Sequence, residues 1–321
     1  MTHYDVFNGD ADGICALHQL RLADPRDSVL ITGVKRDIDL VKQIPVKEAS
    51  SVTVLDISMD KNRDALMPLL DADIDVSYFD HHFAGDIPDT KKLTSHIDTD
   101  ANTCTGLIVN NHLNGAHLAW AVTAAFGDNL LESARSAATP LNLNDEQLTQ
   151  LQTLGTLLNY NGYGSSLEDL FFPPSELYAR VKPYSNPLDF IAKDDAYEKL
   201  ETGYNSDMQK ALNTKPLTAD DATAVFVFPE EAFARRVSGV FANDLAQQNP
   251  ARAHAMLSTL PGDGFLVSVR APLTNKTGAD DLCRQFETGG GRKAAAGINF
   301  LPASDLDRFT DAFRAQFAHA A

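Results

Sequence analysis

Apolar and polar positions alternate from Tyr4 to Asn8, a pattern that predicts a first β-strand. Gly9 to Gly13 then form a turn, and a helix beginning near Ile14 carries Leu17, Leu20 and Leu22 at helical spacing. Ser28 to Val34 predicts a second strand, Ser51 to Ile57 a third with Asp56 at its tip, and Asp75 to Phe79 a fourth followed at once by Asp80. Asp60 to Leu70 is long enough for a crossover helix, and strands alternating with helices predict a doubly wound, mostly parallel α/β sheet. Thr103 to Leu113 and Leu118 to Phe126 read as helices, the second closing on Gly127-Asp128, and a capped helix is predicted to start near Asn144-Asp145-Glu146. Pro173, Pro174, Pro183 and Pro187 break the stretch from Ser165 to Pro187 into short helices.

A smaller α/β unit follows. Strands are predicted at Ala224 to Phe228, Ala253 to Ser258, Phe265 to Arg270 and Ile298 to Leu301, with an amphipathic helix from Glu230 to Gln247 and a closing helix from Ser304. The predicted organisation is a first domain over 1–187, a linker over 188–222 and a second domain over 223–321. A chain of 321 residues can bury two separate cores.

Composition changes this picture in three respects. No apolar run approaches the length needed to span a membrane and no leader-like start is present, so a cytoplasmic protein with no membrane partner is expected. Cys15, Cys104 and Cys283 lack the spacing of a zinc or redox motif and read as small buried thiols. The formal net charge of −17 opposes binding to a long polyanion, because phosphate contacts need clustered cations, yet it leaves small nucleotides held through metal ions open.

The chemistry concentrates where strands end. Asp10 and Asp12 lie two apart on a tight turn and can direct carboxylates to different ions; alone, the pair is as readily an acidic turn capping the next helix. Asp56 has two oxygens with which to bridge a pair of ions. Asp80-His81-His82 adds imidazole, a good ligand for manganese, iron or zinc. Side chains alternate in an extended segment, so one of the two histidines is expected to be a ligand; His81 is assigned that role and His82 is assigned to the substrate phosphate. Asp128 reads equally as a helix-terminal acid or a further ligand. His3, His18, His96, His112, His117, His254 and His319 read as surface or helix residues, His96 being nearest in sequence to the motif, and Trp120 reads as core. Gly289-Gly290-Gly291, followed by Arg292 and Lys293, is read as a loop whose backbone N–H groups cradle an anion, with Arg270 as a second candidate cation.

The order Asp10-Ala-Asp12-Gly13, a strand-end Asp56, Asp80-His81-His82 and then Asp128 resembles the DHH superfamily of phosphoesterases. The segment Gly289 to Gly297, preceded by Val267 to Arg270, is similar to the substrate-binding domain that accompanies DHH domains, with Arg292 where a histidine is usual. The resemblance implies a hydrolase whose site lies in a cleft between the two domains, holding two divalent cations bridged by a hydroxide nucleophile. Manganese is the expected ion, with magnesium, cobalt and iron(II) as alternatives. It implies Asp10, Asp12, Asp56, His81 and Asp128 as ligands, Asp56, Asp80 and His82 as catalytic groups with Asp80 orienting His81, and His82, Arg270, Gly289 to Gly291, Arg292 and Lys293 against substrate. Two positions depart from the family pattern: Val6 stands where some members have histidine, and Asn8 where exonuclease-like members have aspartate, so Asn8 is a candidate additional metal-site residue. The expected substrates are dinucleotides, very short oligoribonucleotides or 3′-phosphoadenosine 5′-phosphate. Cyclic dinucleotides, polyphosphate or pyrophosphate, a non-catalytic nucleotide-binding role and a homodimer stay open.

Overall fold

The computed structural model describes residues 2–318, so His319 lies outside the described residues. The chain divides into two compact units, Met1–Gly203 and Tyr204–Ala321.

The first unit is built on five strands, β1 (Thr2–Phe7), β2 (Val29–Ile31), β3 (Ala49–Leu55), β4 (Asp75–Asp80) and β5 (Leu93–Ile97), in the order β2-β1-β3-β4-β5. Every pairing in this sheet is parallel. Alternation along β1 assigns its two faces. Tyr4 and Val6 join a core with Val52 and Val54 of β3, Val76 and Tyr78 of β4, and Leu66, Leu69 and Leu70 of helix α2 (Met59–Asp71). Asp5 points the other way, to helix α1 (Ala11–Ala23), where the Arg21 Nε donates to its Oδ2 at 2.9 Å.

Over the α1 face pack α3 (Thr105–His112), α4 (Leu118–Gly127), α5 (Leu131–Ala138) and α6 (Asp145–Gly162). Asn144 begins α6 with a capping box, its side chain accepting from Gln147 N while Gln147 returns a bond to the Asn144 backbone. Trp120 is fully buried in α4, as its apolar surroundings predict, and all three cysteines are buried and free. His18 is also core: it is 1% exposed and packs edge-on against Trp120. His96 lies near the end of β5, in register with Phe79 and stacked on its ring.

Three expectations need correction. The 188–222 interval is not a linker: α8 (Pro187–Lys193), following α7 (Pro174–Val181), runs into it, and α9 (Asp195–Asn213) fills it with 19 helical residues. Ala196, Leu200 and Ala211 are fully buried, which is why this stretch is ordered helix, and the division between units falls within α9. The edge strand β5 was not anticipated, because its Leu-Thr-Ser-His-Ile sequence is half-exposed and lacks an apolar run.

The third correction concerns the glycine triplet. The second unit contains β6 (Thr218–Ala219), β7 (Thr223–Phe228), α10 (Ala232–Gln248), β8 (Ala253–Leu260), β9 (Gly264–Arg270), α11 (Ala279–Cys283), β10 (Gly289–Arg292), β11 (Ala295–Pro302) and α12 (Leu306–Phe317). Its six strands run β10-β11-β9-β8-β7-β6, with only β7 and β8 parallel. Gly289 to Arg292 is the edge strand of this sheet, paired antiparallel with Ala295 to Ile298, rather than a loop. A Cβ on Gly289 would stand 1.8 Å from the Cys283 carbonyl oxygen, so close backbone approach accounts for glycine there. Phe309, Phe313 and Phe317 of α12 pack into the core with Val225, Val267 and Ile298.

Candidate metal centre

In a parallel sheet of this order, the crevice beyond the carboxyl ends of β1 and β3 is where the crossovers diverge to opposite faces, and functional side chains gather there. Asp10 follows β1, Asp56 follows β3 and Asp80 ends β4. Asp10 caps α1, its Oδ1 accepting from Asp12 N at 3.0 Å and Gly13 N at 3.1 Å. Asp12, in the first turn of α1, accepts from the first amides of α3: Thr105 N at 2.8 Å and Gly106 N at 2.7 Å. Gly106 permits this approach, since a Cβ there would lie 2.4 Å from the Ala124 Cβ.

Asp56 leaves β3 with φ 60°, a left-handed conformation that aspartate and asparagine tolerate better than other residues with a Cβ. Its Oδ1 accepts from Thr105 Oγ1 at 3.2 Å and lies 3.4 Å from His81 Nε2. His81 Nδ1 is 3.1 Å from the Thr103 carbonyl oxygen; donation there leaves the Nε2 lone pair facing the acids. Asp128, at the carboxyl end of α4 where a negative charge opposes the helix dipole, places Oδ2 3.6 Å from His81 Nε2, and Asp12 Oδ2 is 4.0 Å away. Two sets of potential ligand atoms emerge, Asp12–His81–Asp128 and Asp56–His81–His82, and His81 is common to both.

Asp80 does not orient His81. Its Oδ1 lies 2.7 Å from His82 Nδ1, and that hydrogen bond raises the His82 pKa above its usual 6.5 despite partial burial. The physical reason is that the chain leaves β4 after Asp80, returning the second histidine toward the carboxylate and giving the first to Thr103. Buried Asp80 Oδ2 and Asn8 Oδ1 have no hydrogen-bond partner among the described residues.

Lys35, which the motif reading missed, enters from the loop after β2. Its ammonium forms a short ion pair with Asp10 Oδ2, donates to Asn159 Oδ1 at 2.9 Å and lies 3.7 Å from Asp128 Oδ1. Burial opposes its charge, but Asp10, with Tyr163 and Asp128, holds its pKa well above the usual lysine range. Asp10 is correspondingly lowered: burial raises it, and Lys35 outweighs burial. Asp56 is raised well above the usual carboxylate range by burial and by Asp12, Asp10, Asp128 and Asp80. Asp128 is pushed up to about 6, again by burial first and Asp12 next, against Lys35. Charge is therefore compensated at Asp10, partly offset at Asp128 and uncompensated at Asp56. That imbalance, together with one imidazole and several carboxylates, fits a divalent cation of the manganese, magnesium or iron(II) type.

Asp10, Asp56 and Asp128 open onto a cavity of about 400 Å³, also lined by Asn8, Lys61 and Phe83, the last 72% exposed. Arg270, Gly289 to Arg292 and Lys293 belong to the second unit. Arg270 in β9 donates to Asn243 Oδ1 at 3.0 Å and Ser268 Oγ at 2.9 Å; Arg292 in β10 is exposed. Both arginines stand in register with Ala295, which lies between them.

No family model and no curated protein sequence matches the chain. Solved structures do. The exonuclease RecJ bound to manganese aligns with 99% of this chain and 90% of its own, at TM-score 0.55 and 16% identity. The pGpG-specific phosphodiesterase PggH of Vibrio cholerae aligns over the full length of both chains, at TM-score 0.57 and 13% identity. The chain shares the fold of these two proteins. RecJ of Thermus thermophilus, in complex with Mn2+, shares this fold over 99% of the chain at TM-score 0.57 and 16% identity, but only 52% of that larger protein is covered.

Proposed function

We propose that this protein is a divalent-metal-dependent phosphoesterase that hydrolyses short nucleotides. The observation that carries the reading is the convergence of Asp56, His81 and Asp128, from three separate segments, on one cavity at the ends of a parallel sheet, with buried Asp12 4.0 Å from His81. The fold neighbours support it, being an exonuclease crystallised with manganese and a phosphodiesterase specific for pGpG. His81, with carboxylates drawn from Asp12, Asp56 and Asp128, would hold the cation. When bound, such an ion supplies Lewis-acid stabilisation of phosphoryl charge and lowers the pKa of water.

The remaining roles belong to the chain's own groups. His82, kept protonated to higher pH by Asp80, faces the cavity and is suited to donate a hydrogen bond or a proton to a phosphate oxygen. Phe83 offers an exposed ring on which a base can stack. Arg292 is suited to bind a phosphate oxygen pair, because its guanidinium is permanently charged and forked.

A short substrate is favoured over a long one. The acidic chain has no surplus of cations to follow a polyanion, and the full-length neighbour PggH is named for a dinucleotide. The test is hydrolysis of a size series with added manganese: a dinucleotide, longer oligoribonucleotides, 3′-phosphoadenosine 5′-phosphate, a cyclic dinucleotide and pyrophosphate. Turnover of the dinucleotide ahead of the longer chains supports the reading. Tight nucleotide binding without turnover of any member would replace it with a nucleotide-binding role.

A further inference from the structure

We infer that the Lys35 ammonium occupies the place of a second cation, so that each chain binds a single divalent ion, held by His81 with carboxylates drawn from Asp12, Asp56 and Asp128. The inference rests on the reading of this cluster as a metal centre and specifies its charge.

The geometry around Lys35 is that of a built-in cation. Its backbone is pinned, since Lys35 N donates to the Gly162 carbonyl at 2.8 Å, where α6 ends. The ammonium has three donors and meets Asp10, Asn159 and Asp128 while lying 5.5 Å from the centre of the Tyr163 ring. Asp10 is engaged on both oxygens, Oδ1 by the amides of Asp12 and Gly13 and Oδ2 by Lys35. A divalent ion on Asp10 would therefore have to share its carboxylate with a positive charge already in contact with it.

Asn8 points the same way. A second ion near Asp10 would need further negative ligands, and the side chain two positions earlier is a neutral amide. Its Nδ2 donates to the Lys35 carbonyl at 3.3 Å, so the two residues form one local arrangement. On the other flank, both sets of convergent ligand atoms depend on His81, and neither includes Asp10. His81 Nε2 offers one lone pair, which serves one ion. The fixed ammonium supplies the second positive charge without needing a metal, and it cannot exchange with solvent ions.

Metal stoichiometry decides the matter without recourse to activity. Protein stripped with chelator, loaded with excess MnCl2 and freed of unbound ion should contain one manganese per chain by elemental analysis. Its electron paramagnetic resonance spectrum should be that of an isolated Mn2+ ion. Two ions per chain with an exchange-coupled spectrum would overturn the inference while leaving the metal-centre reading in place; no bound ion would overturn both. The double variant Asn8→Asp/Lys35→Gln restores a carboxylate and removes the ammonium, and its occupancy should rise toward two. If the folded double variant stayed at one, Lys35 would not be what excludes the second ion.

Discussion

Replacing Asp56 with asparagine separates the charge that a cation needs from the charge that the fold carries at a cost. Asp56 is 2% exposed and held at φ 60°. Asparagine accepts that backbone almost as readily, whereas alanine would add strain of about 1–2 kcal/mol and confuse the result. In chelator, wild-type Asp56 faces Asp10, Asp12, Asp80 and Asp128 with its carboxyl pushed up by burial and those neighbours. A neutral amide removes that repulsion, so metal-free Asp56→Asn should melt above metal-free wild type. Manganese at a hundred times its Kd stabilises the native state by about 2.7 kcal/mol through mass action. For a unit the size of Met1–Gly203, at about 2–4 °C per kcal/mol, that is a rise of roughly 5–10 °C in wild type. The variant has lost a charged ligand, and the same manganese concentration should move its Tm by less than about 2 °C. Scanning calorimetry in chelator and across a manganese titration near neutral pH measures both effects. A variant that kept the full metal shift, or melted below wild type in chelator, would refute the placement of Asp56 at the centre of the charge cluster.

Other expectations follow from the same geometry. Asp80→Asn should move the alkaline limb of kcat/KM to lower pH: the Asp80 hydrogen bond raises the His82 pKa, so the imidazolium persists to higher pH only while Asp80 is ionised. An unchanged limb would remove His82 from the reaction. Phe83→Ala and Arg292→Ala should each raise KM for a dinucleotide roughly tenfold or more with little change in kcat, the loss of one stacked base or one charge-assisted contact. Equal KM values would take both residues away from substrate. Stability should fall as pH drops from 6.5 toward 4, because buried His18 is held neutral with a pKa of about 4 while the unfolded chain takes up the proton near 6.5. The loss approaches about 3 kcal/mol. Urea midpoints across that range should flatten in His18→Gln; a slope that persists unchanged would place the acid sensitivity elsewhere.

The acids of the centre were legible because each follows a recognisable strand of a parallel sheet, and such strands present side chains at their carboxyl ends. Asp10, Asp56, Asp80 and His81 all occupy that position, and Asp128 joins them from the end of α4. Lys35 was not legible from any motif. It pairs with Asp10 across 25 positions, and only the rule that functional residues follow strand ends would have drawn notice to the loop after β2. The Asp80 partner was misassigned for a similar reason, since which histidine turns back depends on where the chain leaves β4. The glycine triplet misled in another way: glycine has little strand propensity, yet pairing with Ala295 to Ile298 and the closeness of Cys283 draw Gly289 to Arg292 into the sheet. In α9, the spacing of Ala196, Leu200 and Ala211 carried a helical signal in the stretch read as a linker.

The central claim is that His81 and its surrounding carboxylates hold a cation that hydrolyses a short nucleotide. It is tested most directly by following cleavage of a 5′-phosphorylated dinucleotide by protein stripped of metal and then reloaded with manganese, alongside His81→Ala. The account predicts no turnover in chelator, restored turnover with manganese, and a loss of at least about a hundredfold in the folded variant. Cleavage that proceeds equally in chelator, or that survives intact in His81→Ala, would contradict it.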